Sequence, residues 1–114
     1  MEDCIFCKIA RGEIPTRKVY EDERVLAFYD QSPQARVHVL IIPKAHADNL
    51  LAARAMDDGL LAHLLRTAAH VAALLGLDKT GFRIVSNCGA DARQSIEHQH
   101  IHLLGGEKLS ERMV

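Results

Sequence analysis

Three of the seven histidines in this chain, His98, His100 and His102, stand at alternate positions in the run Ser95-Ile-Glu-His-Gln-His-Ile-His-Leu-Leu. Successive side chains of a β-strand point to opposite faces, so residues two apart project together. With Ile96, Ile101, Leu103 and Leu104 around them, the spacing predicts a strand within Gln94 to Leu104 carrying three imidazoles on one side. Imidazole can act as nucleophile, proton shuttle or metal ligand near neutral pH. A row of three beside apolar neighbours is costly to bury and hard to explain by packing. The run reads as a site, either a set of metal ligands or a nucleophile with orienting neighbours.

Cys4-Ile-Phe-Cys7 is the second constellation. Two thiolates separated by two residues can chelate one zinc from a tight knuckle. The other ligands would come from histidines, the lone Cys88 being the remaining thiol. Without a metal, the same pair reads as two small buried hydrophobes. The polar loop Asn87 to Ser95 leads into the histidine run, and Gly89, Gln94 and Ser95 could offer donors to an anion beside the imidazoles. Asp30, at a strand end, suits either sugar hydroxyls or simple turn initiation.

The elements that must hold these groups follow from periodicity. Ile5 to Arg11 is at most a short helix or knuckle, punctuated by Gly12 and Pro15. Lys18 to Tyr20 and Arg24 to Tyr29 form a hairpin, and Val37 to Ile42 is an apolar strand ended by Pro43. In it, His38 shares a face with Leu40 and Ile42. A short helix is expected over Asn49 to Arg54 and a long one from Met56 or Asp57 to Leu75, closed by Gly76. Leu60, Leu61, Leu64, Leu65, Ala68, Val71, Ala72 and Leu75 make its apolar stripe. His63, Arg66 and His70 fall opposite, as plain surface residues. Phe82 to Cys88 is a further strand. The order β-β-β-α-β-β gives an α+β fold, an antiparallel sheet with a helix on one face.

The chain has 114 residues, enough for one domain over 1–114, and 48% of them are apolar. Fourteen basic against fifteen acidic residues leave a net charge of -1, which argues against a nucleic-acid groove. No apolar stretch is long enough for a membrane span, and Met-Glu-Asp-Cys lacks the features of a signal peptide. Three cysteines, an odd number, fit a reducing compartment and a cytoplasmic location.

From Cys4 to Gly106 the chain resembles the histidine triad (HIT) family, in its nucleotide-binding, purine nucleoside phosphoramidase-like branch. Its signature is similar to Gln94-Ser-Ile-Glu-His-Gln-His-Ile-His-Leu-Leu-Gly-Gly106. Supporting blocks are Cys4 to Ile9, Gly12 to Pro15, Val25 to Asp30, Ser32 to Ala35 and His38 to His46. The resemblance implies a five-stranded antiparallel sheet with two helices, joined into a ten-stranded sheet in a homodimer. It implies that His100 is the nucleophile, attacking the α-phosphorus of a purine nucleotide, adenosine or guanosine, to form a nucleotidyl-histidine that water releases as the monophosphate. Asn87, Gln94, Ser95 and His102 would then serve the phosphate, with Ser95 facing the leaving group. His38 completes the imidazole network, Asp30 binds the ribose, and Ile5, Phe6, Ile9 and Phe28 wall the purine. In a zinc-containing subset, positions matching Cys4, Cys7, His46 and His98 hold a structural Zn2+.

Arg93 and Glu97 depart from the glycine and aromatic common in that branch, and the tail lacks a tryptophan that some members place across the dimer. Three functions fit these residues. The first is hydrolysis of purine nucleoside phosphoramidates, such as aminoacyl adenylates. The others are a dinucleoside polyphosphate hydrolase and a nucleotide-binding adaptor with little turnover.

Overall fold

The computed structural model of the chain describes residues 3–114. Five strands, β1 (Lys18–Glu21), β2 (Val25–Tyr29), β3 (Val37–Pro43), β4 (Phe82–Val85) and β5 (Ile101–Gly105), form one antiparallel sheet in the order β1-β2-β3-β5-β4. Helix α1 (Ile5–Ala10) precedes the sheet, while α2 (Leu50–Ala53) and α3 (Asp58–Leu74) separate β3 from β4. Among the described residues no helix is long and apolar enough to cross a membrane.

The helix boundaries are written in their caps. Asp57 accepts from Leu60 N at 2.9 Å to start α3, and Asn49 accepts from Ala52 N at 3.0 Å to start α2. At the other end of α3, Gly76 takes φ +78°, and Leu77 N reaches back to Ala72 O at 2.8 Å. Leu60, Leu64, Ala68, Val71 and Ala72 are buried as the stripe requires, but Leu65 is 57% exposed. It faces a groove instead of the core.

Apolar helices cover both faces of the sheet, where the sequence pattern suggested one. Val25, Ala27, Val39, Ile41, Ile101 and Leu103 pack against α3. The alternate residues Leu26, Phe28, Leu40 and Ile42 pack against Phe6 and Ile9 of α1. The unbroken apolar runs in β2 and β3 have this cause: both faces are dry, so alternation with polar residues disappears. Burying these side chains stabilises the fold by roughly 1.5–3 kcal/mol each.

The histidine strand is shorter than expected. Only His102 lies in β5; His98 and His100 precede it. The register pairs Ile101 with Ile41, which leaves Ile42 and Pro43 of β3 opposite the histidine segment. There the His98 side chain, not a strand amide, takes the Pro43 carbonyl, at 2.8 Å. Side-chain alternation survives without the ladder, because Gln99 and Ile101 line the groove beside α3 while His100 and His102 line a cleft beside α1. Strand β4 ends at Val85, so Ser86 to Cys88 are not strand.

His63 is also more than a surface residue. Its Nε2 lies 2.6 Å from Asp22 Oδ2, joining α3 to the β1–β2 turn. The same carboxylate accepts from Tyr20 Oη and from the amides of Arg24 and Val25, and His70 packs edge-on against Tyr20. Burial opposes ionisation of Asp22, but the Arg24 amide, His63, Tyr20 and the Val25 amide outweigh it and hold the carboxyl far below the ordinary carboxylate range. A carboxyl depressed in the folded state adds stability above its unfolded pKa of about 3.9 and loses it as pH falls below that value. Asp22→Asn should cost about 1–3 kcal/mol at pH 7 and flatten the loss of stability below pH ~4. Denaturant melts across pH check both, and an unchanged acid limb would contradict this role.

Candidate active site and metal centre

Backbone groups decide where the imidazole protons sit. Each neutral imidazole has one N–H and one lone pair, so fixing one nitrogen fixes the other. His100 Nδ1 lies 2.7 Å from the carbonyl of His98, an acceptor, and must carry the proton. Its Nε2 therefore keeps the lone pair. The residue is only 3% exposed, yet it forms part of the cleft wall, with the edge of Phe6 packed on it at 5.2 Å between centroids.

His102 is set by a relay. The Gln34 amide donates to His38 Nδ1 at 3.0 Å, so the His38 proton sits on Nε2. That proton is donated to His102 Nδ1 at 2.8 Å, which leaves N–H on His102 Nε2. Burial, then the neighbouring imidazoles of His100 and His38, push the His102 pKa down to about 4. Burial lowers His38 as well, against the nearby Asp30. Asp30 Oδ2 stands 3.5 Å from His38 Nε2, and its Oδ1 accepts from the Ser32 amide at 2.7 Å.

The cleft holds about 260 Å³. Ile5, Phe6, Ile9 and Phe28 supply an apolar wall, while Asp30, Ser95, His100 and His102 supply polar groups. The structure brings all of these expected site residues together around one cavity, with His38 directly behind His102. Asn87 and Gln94 do not line it. Leu40, Ile14, Thr16, Gln31, Ser32 and Ile96 do, and sequence reasoning missed their part. Leu40 was findable, since alternation puts it on the face of His38. The amides of Ser32 and Gln34 carry no side-chain signal at all.

The four residues Cys4, Cys7, His46 and His98 meet in a second cluster, every donor atom within 4.8 Å of the others. Cys4 caps α1 by accepting from the Cys7 amide at 3.3 Å. His98 gives its Nε2 proton to Pro43 O, and His46 gives its own to Asp48 Oδ1 at 2.7 Å. Both Nδ1 lone pairs consequently point at each other, 3.2 Å apart. Burial lowers the His98 pKa, despite its bond to Pro43, and raises the Cys7 thiol, helped by Cys4. Two facing lone pairs beside two sulfurs form a donor set that could hold one cation.

The spacings fit one. A tetrahedral ion with Zn–S of about 2.3 Å and Zn–N of about 2.0–2.1 Å separates its nitrogens by about 3.3 Å and S from N by about 3.6 Å. Sulfur-to-Nδ1 distances here are 3.4 Å for Cys4–His98, 3.3 Å for Cys7–His46 and 3.6 Å for Cys7–His98. Asp30, His38 and His102 also lie within 4.8 Å of one another. In that set His38 Nε2 already carries a proton, spent on His102, so it is a poor metal site.

Comparisons with known proteins give the family and the fold. An uncharacterised HIT-like protein of Synechococcus elongatus is 52% identical over 109 residues, covering 96% of this chain and 95% of its own. A histidine triad protein from Clostridium difficile has a solved structure with a TM-score of 0.94, 46% identity, and coverage of 98% of this chain and 97% of that one. A HIT family hydrolase from Legionella pneumophila gives 0.92 at 44% identity, covering 96% and 97%. Residues 11–109 match the HIT domain, and the chain belongs to that family.

Proposed function

We propose that the chain hydrolyses purine nucleoside 5′-phosphoramidates, adenosine or guanosine conjugates of the aminoacyl-adenylate or nucleotide-amine type, through a covalent intermediate on His100. One observation carries the reading: His100 is locked as its Nδ1–H tautomer with Nε2 bare beside a mixed apolar and polar cleft. The similarity to a HIT family hydrolase supports the reaction class.

In the first step His100 Nε2 attacks phosphorus, an Nε2–P bond forms, and the P–N bond to the leaving amine breaks; in an aminoacyl adenylate it is the P–O bond to the leaving carboxylate that breaks. Positive charge develops on the ring, and the His98 carbonyl at Nδ1 is already oriented to stabilise it. The leaving nitrogen gains a proton; Ser95 is suited to deliver it, since it borders both the cleft and a second depression outside it. Water then adds to phosphorus as the Nε2–P bond breaks, releasing the monophosphate and a proton. Two displacements replace one difficult one. His102 offers an Nε2–H to the phosphoryl oxygens and stays neutral at physiological pH. Asp30 would take the ribose hydroxyls, and Ile5, Phe6, Ile9 and Phe28 the base.

Cys4, Cys7, His46 and His98 would hold a structural Zn2+. Four protein ligands close its coordination sphere, so it supplies folding stability and tethers α1 to the sheet.

The reading includes a homodimer. Strand β4 is an open sheet edge with Phe82 and Ile84 about two-fifths exposed, and beside it lies an apolar groove of about 330 Å³ that includes Leu50, Leu61 and Leu65. Among the described residues, Gln99 Oε1 is buried without a hydrogen-bond partner at this groove. An unpaired edge next to an apolar groove is the sort of surface a second copy covers. A cytoplasmic location is consistent with the free thiols.

Three outcomes are expected. His100→Ala should lower turnover of a fluorogenic adenosine phosphoramidate by at least ~10⁴-fold while nucleotide binding by calorimetry persists; intact turnover would sink the mechanism. The same panel with dinucleoside polyphosphates separates that substrate class, and absence of any turnover would favour an adaptor. Native mass spectrometry should find one zinc per chain, with Cys4→Ser losing it and melting about 10 °C or more lower. Full zinc retention by that variant would remove the metal site. Ile84→Asp should sediment as a single copy where the parent chain sediments as two, and a monomeric parent would contradict the dimer.

A further inference from the structure

Gln94 stands directly before Ser95, where a phosphate donor was expected, yet its carboxamide is fully engaged elsewhere. Its Nε2 donates to Asp48 O at 2.6 Å and to Ile96 O at 2.9 Å. Its Oε1 accepts from the Gly89 amide at 3.0 Å. The assignment of O and N is self-consistent, because two carbonyls require donors and the amide requires an acceptor. Both N–H groups are spent, and the side chain does not line the cleft.

The three backbone groups it joins belong to three different segments. Gly89 opens the loop after β4, where Gly89 itself takes φ +85° and Arg93 takes φ +59°. A non-glycine residue in that region costs roughly 1 kcal/mol or more, so the loop has to be held by its surroundings. Backbone bonds from Gln94 N to Gly89 O and from Arg93 N to Ala90 O close the turn, and the Gln94 side chain closes it from the other side. Ile96 lies on the lead into the histidines. Asp48 is the residue whose carboxylate orients the metal-cluster ligand His46. Next to it, Ala47 O accepts from the Gln99 amide at 2.7 Å.

We infer that Gln94 is a positioning residue that ties the loop bearing Ser95 to the segment bearing His46, so that metal cluster and phosphate loop hold each other in place. The inference rests on the proposed reaction only for its effect on rate. Loosening Gln94 frees the Asp48 carbonyl and the Gly89 amide together, so changes should appear at both ends of the link.

The test compares the zinc-loaded chain with Gln94→Ala. Amide exchange at Gly89 should accelerate about tenfold or more, and chelator competition should show Zn2+ held roughly 10–100-fold more weakly. With an adenosine phosphoramidate, kcat should fall about tenfold or more while KM stays within about twofold. A direct phosphate ligand would instead change kinetics with zinc affinity and Gly89 exchange unmoved, which would overturn the inference. Gln94→Glu keeps an acceptor for the Gly89 amide but turns a second acceptor toward two carbonyls; it should reproduce the losses of zinc affinity and kcat, and wild-type behaviour would equally overturn the inference. Should the parent chain show no turnover, the proposed hydrolase fails, while exchange and zinc affinity still decide the role of Gln94.

Discussion

A hydrogen bond from His100 Nδ1 to the carbonyl of His98 is the constraint on which the proposed chemistry depends. It fixes which nitrogen of a nearly buried ring carries the proton and leaves the other bare at the cleft. A nucleophile prepared this way needs no separate base, because a neutral imidazole is already nucleophilic. The same bond ties the proposed metal cluster to the proposed nucleophile. His98 turns its ring toward the cysteines and its carbonyl toward His100, so whatever holds His98 also holds His100.

What holds His98 is a consequence of sheet geometry. Strand β3 runs on to Pro43 against β2, while β5 begins at Ile101, and the lead into β5 is left without a full ladder. The His98 side chain fills that role by donating to Pro43 O. Its other nitrogen then faces His46 and the two sulfurs. On the far side of His100, the amide of Gln34 sets His38, and His38 sets His102. Three backbone groups, Pro43 O at the end of β3, His98 O and the Gln34 amide, thereby dictate the proton positions of four imidazoles. The two apolar layers, α3 on one face and α1 on the other, keep these loops in register.

Much of this was legible in the chain. Alternation put His98, His100 and His102 on one side, Gly76 and Asp57 marked the ends of the long helix, and the strand pattern gave the sheet. The site's apolar wall was readable through family likeness, in Ile5, Phe6, Ile9 and Phe28. What the pattern hid has physical reasons. A strand buried on both faces loses its polar alternation, so the α1 layer over Leu26 and Phe28 left no periodic trace. The histidine strand looked longer than it is, because alternation of side chains does not require a hydrogen-bonded ladder. Leu65 fitted the helical stripe but faces the groove it shares with Ile84 and Ile101. His63 looked like surface because its partner, Asp22, is 41 residues away. Backbone carbonyls and amides, which set the tautomers, have no sequence signature.

The most direct test is the protonation state of one ring. Nitrogen-15 spectra of the histidine side chains at neutral pH, with long-range couplings to the ring carbon protons, identify the tautomer of each imidazole. The account predicts that His100 bears its proton on Nδ1 and an unprotonated, metal-free Nε2. A His100 protonated on Nε2, or shifted by metal coordination, would leave no nucleophile at the cleft and would contradict the account.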